Sequence, residues 1–362
     1  MAKTICYCLQ PRSPFHFGER GVGMEEASVI LHSDTVFSAL CITLQELGVT
    51  PETLLDLFPV HYFEQGKSPR LIPRTPPFRL SSGFPYCETP ASDSTSQRIF
   101  LFPKPYLRLN VRFSTDDPHQ SKSFKRIQFI SKPLFEDCIA GKELVFNPDH
   151  LIQGKRVWIT ANEKQKLNTD RLWVQETQPH VAVDRFSSAS QVYGVGQVRF
   201  TSQSGLFLLV NYSDETWRPV VEKALRVLGD SGIGGERSSG KGQFHLDIVN
   251  EFTLSTPDTS CNAFTTLSLY WPTSEERTLL KNASYGFLMR HGWIGVPGGM
   301  NLRRRGVRML TEGSVFSQQP SGALVDVKPL DPEGVPNVKH SVWRYGLAYS
   351  LPCRQNQEKQ DG

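Results

Sequence analysis

Gly229-Asp230-Ser231-Gly232-Ile233-Gly234-Gly235-Glu236-Arg237-Ser238-Ser239-Gly240-Lys241-Gly242-Gln243-Phe244 holds six glycines, three serines, one arginine and one lysine. Glycine keeps no side chain between the backbone and a ligand, and it tolerates positive φ. Such a loop turns successive N–H groups toward one anion, and Arg237 and Lys241 add two cations. The reading is a cradle for a phosphodiester backbone. Gly235 to Lys241 spells G-x-x-x-x-G-K, but Gly242 stands where a P-loop needs Ser or Thr for magnesium. The order is also reversed. Val220–Leu228 before the loop has a helical period and Phe244–Val249 after it alternates as a strand, whereas a P-loop runs from strand into helix. An NTPase is excluded on both grounds. A ligand-free surface loop is the bland alternative.

Outward from the loop, Trp217–Leu228 reads as a helix that Gly229 stops, and Leu206–Val210 as an apolar strand. Further strands are expected at Thr265–Tyr270, Tyr285–Arg290, Val307–Leu310 and Ala323–Val327. Near the N-terminus, Thr4–Leu9 alternates as a first strand. Ser33 is placed to cap a helix in which Asp34 meets the positive dipole end and Val36, Phe37, Leu40, Leu44 and Leu47 line one face. Thr50 and Pro51 open a second, short helix. Residues 65–97 are rich in Pro, Ser and Thr, and residues 145–170 are polar. Both read as insertions. Each half thus offers strand, loop, helix and more strands, an α+β pattern that two copies of a β-α-β-β-α-β ferredoxin-like (RRM-like) unit satisfy. The expected division is residues 1–178, residues 179–352 with the glycine-rich loop 229–244, and a flexible tail 353–362.

The 362 residues carry a net charge of +4, unevenly placed. Arg290 to Arg308 contains five arginines and no acid, and Arg98 to Lys132 contains eight cations against Asp116 and Asp117. Basic stretches interleaved with aromatics are the footprint of a nucleic-acid binder, with solvated cationic loops as the alternative. The 7 cysteines are scattered without C-x-x-C, and the 9 histidines form no H-E-x-x-H. Neither a disulfide framework nor a metal centre is expected, and no cofactor. No run of 18 apolar residues and no signal-peptide block occurs, so the expectation is a cytoplasmic protein.

Five groups of residues then carry a resemblance. They are Phe15-His16-Phe17-Gly18-Glu19 with Leu31 to Leu40; Phe102-Pro103-Lys104-Pro105; Val183-Asp184-Arg185; Leu228 to Phe244; and Glu312-Gly313-Ser314-Val315-Phe316 with Trp343 to Ala348. Together they make the chain similar to the RAMP superfamily of CRISPR effector subunits. Within it, the chain resembles the family of subunit four of the Csm (type III-A) complex. That resemblance implies two ferredoxin-like RAMP domains and a non-catalytic role in antiviral defence. It implies RNA binding that holds the crRNA 5′ tag, and partners in the large polymerase-like subunit and the backbone RAMP subunits. It also implies a β-hairpin thumb, which the sequence places in 65–135.

RNA offers phosphates, 2′-hydroxyls and unstacked bases. Gly232, Ile233, Gly234 and Gly235 are assigned to close backbone approach, and Arg237, Ser238 and Lys241 to phosphate. Ser33 and Thr35 are assigned hydroxyls and free amides at the helix start, whereas Asp34 is read as structural. Phe15 and His16 are candidates to stack on a base, with a core aromatic and a satisfied histidine as the alternative. Lys104 is a candidate ion contact, and Arg303-Arg304-Arg305 a site for RNA or an acidic partner. Two rival functions stand beside this one. A metal-independent RAMP endoribonuclease that processes CRISPR repeat RNA would use His16 or His32 as general base. A protein-only scaffold would show no RNA affinity of its own.

Overall fold

The computed structural model of the chain describes residues 3–19, 25–62, 70–90, 97–113, 118–184, 186, 188–257, 261–294, 302–329, 338 and 340–355. Its centre runs β1 (Lys3–Pro11), α1 (Ser33–Glu46), β2 (Phe78–Leu80) and β3 (Phe84–Glu88). After a long excursion ending in the hairpin β4 (Trp173–Val183) and β5 (Ser190–Phe200), the chain returns as β6 (Ser204–Tyr212), α2 (Arg218–Ser231) and β7 (Phe244–Val249). In the main sheet β7 pairs β1, β1 pairs β6, and β6 pairs both β2 and β3, all antiparallel. The register sets Lys3 opposite Tyr212 and Cys6 opposite Val249.

Five consecutive residues of β1, Ile5 to Leu9, are fully buried, which is the mark of a strand covered on both faces. Ile5, Tyr7 and Leu9 point to one core with Leu206, Leu208 and Val210. Cys6 and Cys8 point to the other with Phe207 and Leu209. Helices α1 and α2 cover the first face. Val36, Phe37, Leu40 and Leu44 of α1, and Val221, Ala224, Leu225 and Leu228 of α2, recur at the spacing that makes one apolar stripe.

Several expectations need correction. Helix α2 does not stop at Gly229; it runs to Ser231 and ends on Gly232 at φ +84°. The 178/179 boundary falls inside β4, where Gln178 pairs with Val195, and the main sheet takes strands from both sides of it. Residues 145–170 are built into the fold. Val157–Trp158 pairs in parallel with Phe129–Ser131, extending the main sheet, and Trp158 is 1% exposed. Within 65–97, the described part supplies β2 and β3, because Phe78, Leu80, Phe84 and Tyr86 are core residues; positions 65–69 and 91–96 lie outside the described residues. The tail also begins later than expected, since Ser350–Cys353 pairs with Ala263–Thr266, and residues 356–362 lie outside the described residues. The long hairpin occupies Trp173–Phe200, not 65–135.

The C-terminal part adds small sheets. One joins Leu324–Asp326 in parallel to Val60–Tyr62, so the far ends of the chain are interleaved. No helix among the described residues is long and apolar enough to cross a membrane.

Leu40→Ala should lower stability by about 2–5 kcal/mol, since the residue is fully buried under the sheet. Ile42→Ala on the same helix, at 45% exposure, should change it by less than about 1 kcal/mol. Chemical denaturation midpoints compare the two.

Candidate nucleic-acid interface

The glycine-rich loop is built against its neighbours. Gly232 (φ +84°) and Gly234 (φ +98°) adopt the left-handed region, and both are closely approached. A Cβ on Gly232 would lie 2.5 Å from Lys241 O, and one on Gly234 would lie 2.6 Å from His16 O. Between them Ile233 is 1% exposed, in the α2 core. Three of the four amides of 232–235 are likewise engaged, with Gly232 N donating to Leu228 O (2.8 Å). Ile233 N donates to Gly242 O (3.0 Å), Gly235 N to His16 O (2.9 Å) and Gly242 N to Pro14 O (2.9 Å). The expected cradle of Gly232, Ile233, Gly234 and Gly235 is therefore corrected: these residues close the loop and seat it on chain 14–17.

What faces water is the short 3-10 turn Arg237–Ser239, where Arg237 and Ser238 are exposed. Arg237 makes no ion pair among the described residues. Lys241 behaves otherwise. It is 5% exposed, burial lowers its pKa, and its Nζ donates to Gln197 Oε1 (2.9 Å) and Gln178 Oε1 (3.4 Å). It is a strut between the loop and the base of the β4–β5 hairpin, not a surface phosphate ligand.

Phe15 pairs its backbone with Val198 in both directions (2.9 and 2.8 Å). Its ring is fully buried, stacks on Phe17 at 5.0 Å and meets Phe200 edge-on. His16 is 8% exposed and its Nδ1 lies 2.6 Å from Gly196 O. Neither ring offers a face to a base; the core alternative holds for both. Above this anchored base the hairpin leaves the body of the protein. Most residues of 175–192 are exposed, including Val181, Val183, Phe186 and Val192. His180 and Tyr193 pair across it with ring centroids 5.6 Å apart.

At the start of α1 the N-cap is His32, with no side-chain cap bond, so Ser33 does not cap. Ser33 is fully buried; its N–H donates to Ser82 Oγ (2.9 Å) and its Oγ accepts from Leu269 N (3.1 Å). Shut away from solvent, it does not present its hydroxyl to a phosphate. Asp34 is the structural residue expected. Arg290 grips it with Nε and Nη2, each 3.0 Å away, and Arg344 Nη1 closes from the other side. Burial opposes ionisation of Asp34, but the two arginines outweigh it and hold the carboxyl well below the usual carboxylate range. Arg290 also donates to Gly18 O (2.8 Å), Glu19 O and Thr35 Oγ1 (3.1 Å), so the Thr35 hydroxyl is occupied.

Beside it, His32 Nδ1 lies 2.8 Å from Glu312 Oε1, and Ser82 Oγ donates to the same oxygen. Burial opposes ionisation of Glu312 too, yet the imidazole and hydroxyl keep its pKa below the ordinary value. Lys104 Nζ donates to Phe124 O (3.0 Å) and sits 4.6 Å over the Phe124 ring; burial lowers its pKa. In the arginine triplet, Arg305 donates to Asp326 O, Arg304 is half-buried and Arg303 is exposed. Glycine loop, chain 12–19, hairpin base, α1 start and strand Phe287–Arg290 thus form one connected surface. Sequence reasoning missed Gln178, Gln197, Arg290 and Arg344. Only the acid-free run around Arg290 and the Trp343-Arg344-Tyr345 motif signalled any of them.

The family described as the CRISPR Csm4 C-terminal domain matches residues 259–353. A Csm4 protein of Mycobacterium tuberculosis is 26% identical over 86% of this chain and 88% of its own length. A Csm4 of Methanocaldococcus jannaschii is 22% identical over 95% and 96%. Over most of its length the chain is thus similar to Csm4 proteins of type III CRISPR systems. Its fold is shared with solved structures at 18% identity. A chain of the Csm3–Csm4 subcomplex in the type III-A CRISPR-Cas interference complex has a TM-score of 0.60 over 96% of this chain and 99% of that one. A chain of the Csm1–Csm4 cassette in complex with cA4 has a TM-score of 0.53 over 98% and 100%.

Arg290→Ala leaves the buried Asp34 with one partner and should cost about 3–5 kcal/mol. Asp34→Asn with Arg290→Ala should cost less than the two singly, because they share one interaction. Since the folded-state pKa of Asp34 is depressed, its contribution is complete above the ordinary carboxylate pKa of about 4. It is lost as the pH falls below that, and the Asp34→Asn variant should lack this part of the acid destabilisation. Denaturation midpoints across acid pH measure both.

Proposed function

We propose that this chain is a non-catalytic, RNA-holding subunit of a type III-A CRISPR effector complex. It grips the 5′ repeat tag of the crRNA and joins the large polymerase-like subunit to the backbone RAMP subunits. The observation that carries this reading is the β4–β5 hairpin. A two-stranded arm whose outer residues are mostly exposed suits a partner outside the chain, and the part beyond Thr177 is about 20 Å long at strand spacing. Its tip carries Phe186, 100% exposed, and Val183 near it in sequence is 63% exposed, which suits insertion between unstacked bases. We take it as the thumb. Its base is fixed to the glycine loop through Lys241, so loop and thumb address the same strand of RNA, with Arg237 and Ser238 toward phosphate. Relatives in Csm3–Csm4 and Csm1–Csm4 assemblies favour the bridging role.

The order β1-α1-β2-β6-α2-β7, with β7 and β2 at the two edges around β1 and β6, supports one ferredoxin-like unit. It spans both sides of the excursion, and we assign the second unit to the C-terminal part. The endoribonuclease reading is disfavoured. His16 and His32, its candidate bases, are buried and each has Nδ1 engaged.

Binding of the purified chain to a short RNA carrying a CRISPR repeat 5′ tag tests the proposal, with cleavage scored in the same sample. The logarithm of affinity should fall linearly with the logarithm of salt. Arg237→Ala should reduce the slope by about 0.7, one single-strand phosphate contact. Phe186→Ala should weaken binding with the slope unchanged. Absence of RNA affinity, alone or with partner subunits, would leave the scaffold reading, and specific metal-independent cutting would bring back the nuclease.

A further inference from the structure

A cavity of about 930 Å³ opens between the start of α1, the Lys104 segment and strand Phe287–Arg290. Its walls mix apolar and polar surface, with Val29, Leu107, Leu109, Phe124 and Leu288 forming the apolar part. Two of its lining residues carry polar atoms that lack partners among the described residues. His32 is 4% exposed and its buried Nε2 has no hydrogen-bond partner there; the same is true of the buried Thr311 Oγ1. His32 Nδ1 faces the Glu312 carboxylate, which only accepts, so Nδ1 donates there and Nε2 is the ring atom left for another partner. Gly286 packs closely against Thr311 and Tyr106. A Cβ there would lie 2.6 Å from Thr311 Oγ1 and 2.7 Å from the Tyr106 hydroxyl.

A buried ring nitrogen and a buried hydroxyl on the wall of one cavity, both without partners among the described residues, are unfavourable unless something fills the space and bonds to them. The occupant must be apolar on its faces and polar on its edge, as a nucleobase is. Charge points the same way. Lys104, Lys125 and Arg156 line the opening, against Glu19 and the internally paired Glu312. A cationic rim suits a phosphate that stays outside while the base enters.

We infer that this cavity takes one extruded nucleotide of the bound RNA, its base edge on His32 Nε2 and Thr311 Oγ1 and its phosphate at the rim. The inference rests on the RNA-holding reading and adds a second, shape-selective contact to it. Lys104 thereby regains a part in recognition: Nζ gives one donor to Phe124 O and keeps others for the rim.

The test is an abasic scan, in which the tag RNA is made with one base missing at each position in turn and bound to the full chain. Removing one particular base should weaken binding about tenfold. Leu109→Trp, which puts an indole on the cavity wall, should weaken intact RNA by a similar factor and abolish the penalty at that position alone. Thr311→Val should reduce the same penalty several-fold without changing cavity volume, and it stands in if Leu109→Trp does not fold. Salt-dependent binding with a flat abasic profile overturns the pocket and leaves the RNA-holding reading intact. So does a penalty that persists in both variants, which would place the sensitive base elsewhere. No affinity for any RNA overturns both. Free adenosine or guanosine monophosphate competing at the cavity, with no penalty in the scan, would mark a mononucleotide site and also overturn it.

Discussion

One carboxylate holds the arrangement together. Asp34 sits at the first turn of α1, shut away from water, and two arginines from near the far end of the chain converge on it. A buried charge is tolerable only when its partners are well placed, and here the guanidinium forks supply the geometry that lysines would not. The positive end of the helix dipole adds to the same balance. Arg290 then reaches on to the carbonyls of Gly18 and Glu19. Through that single residue the C-terminal part, the first helix and the chain that supports the glycine loop are set in one frame.

The glycine loop shows why composition alone misassigns a ligand. Glycine permits a close approach, but it does not say what approaches. At Gly234 the neighbour is the carbonyl of His16, and at Gly232 it is the loop's own Lys241 carbonyl. A loop so packed is rigid, and rigidity has a use. It presents Arg237 and Ser238 on a turn whose position is fixed by the buried Ile233 and by hydrogen bonds to chain 14–16.

Periodic segments were legible. Val36, Phe37, Leu40 and Leu44, and Val221, Leu225 and Leu228, spell helices because packing on a sheet requires that spacing. Asp34 as a structural acid was legible too, from the repulsion between an acid and a phosphate, though its arginine partners are more than 250 residues away and no local pattern reveals them. The hairpin was not legible. Pro179 at its outer arm and Gly194 and Gly196 in the return strand mimic turns, and its exposed faces leave no alternation for a core to enforce. In fact Gly196 is needed because the backbone of Glu25 crosses there. The single sheet that crosses the 178/179 boundary was hidden for a related reason: β6, α2 and β7 look like the start of a new unit, yet they complete one begun by β1 and α1.

The placement of Lys241 joins these threads. A lysine on the surface of the loop would meet phosphate with a long, mobile side chain and lose entropy on doing so. Buried at the hairpin base and held by two glutamines, it contributes no flexible contact and instead fixes the angle between loop and hairpin. The elements that reach outward, Arg237 on one side and the Val183–Phe186 tip on the other, can then be sparse. Fixed geometry does the work that a larger number of adaptable contacts would otherwise have to do.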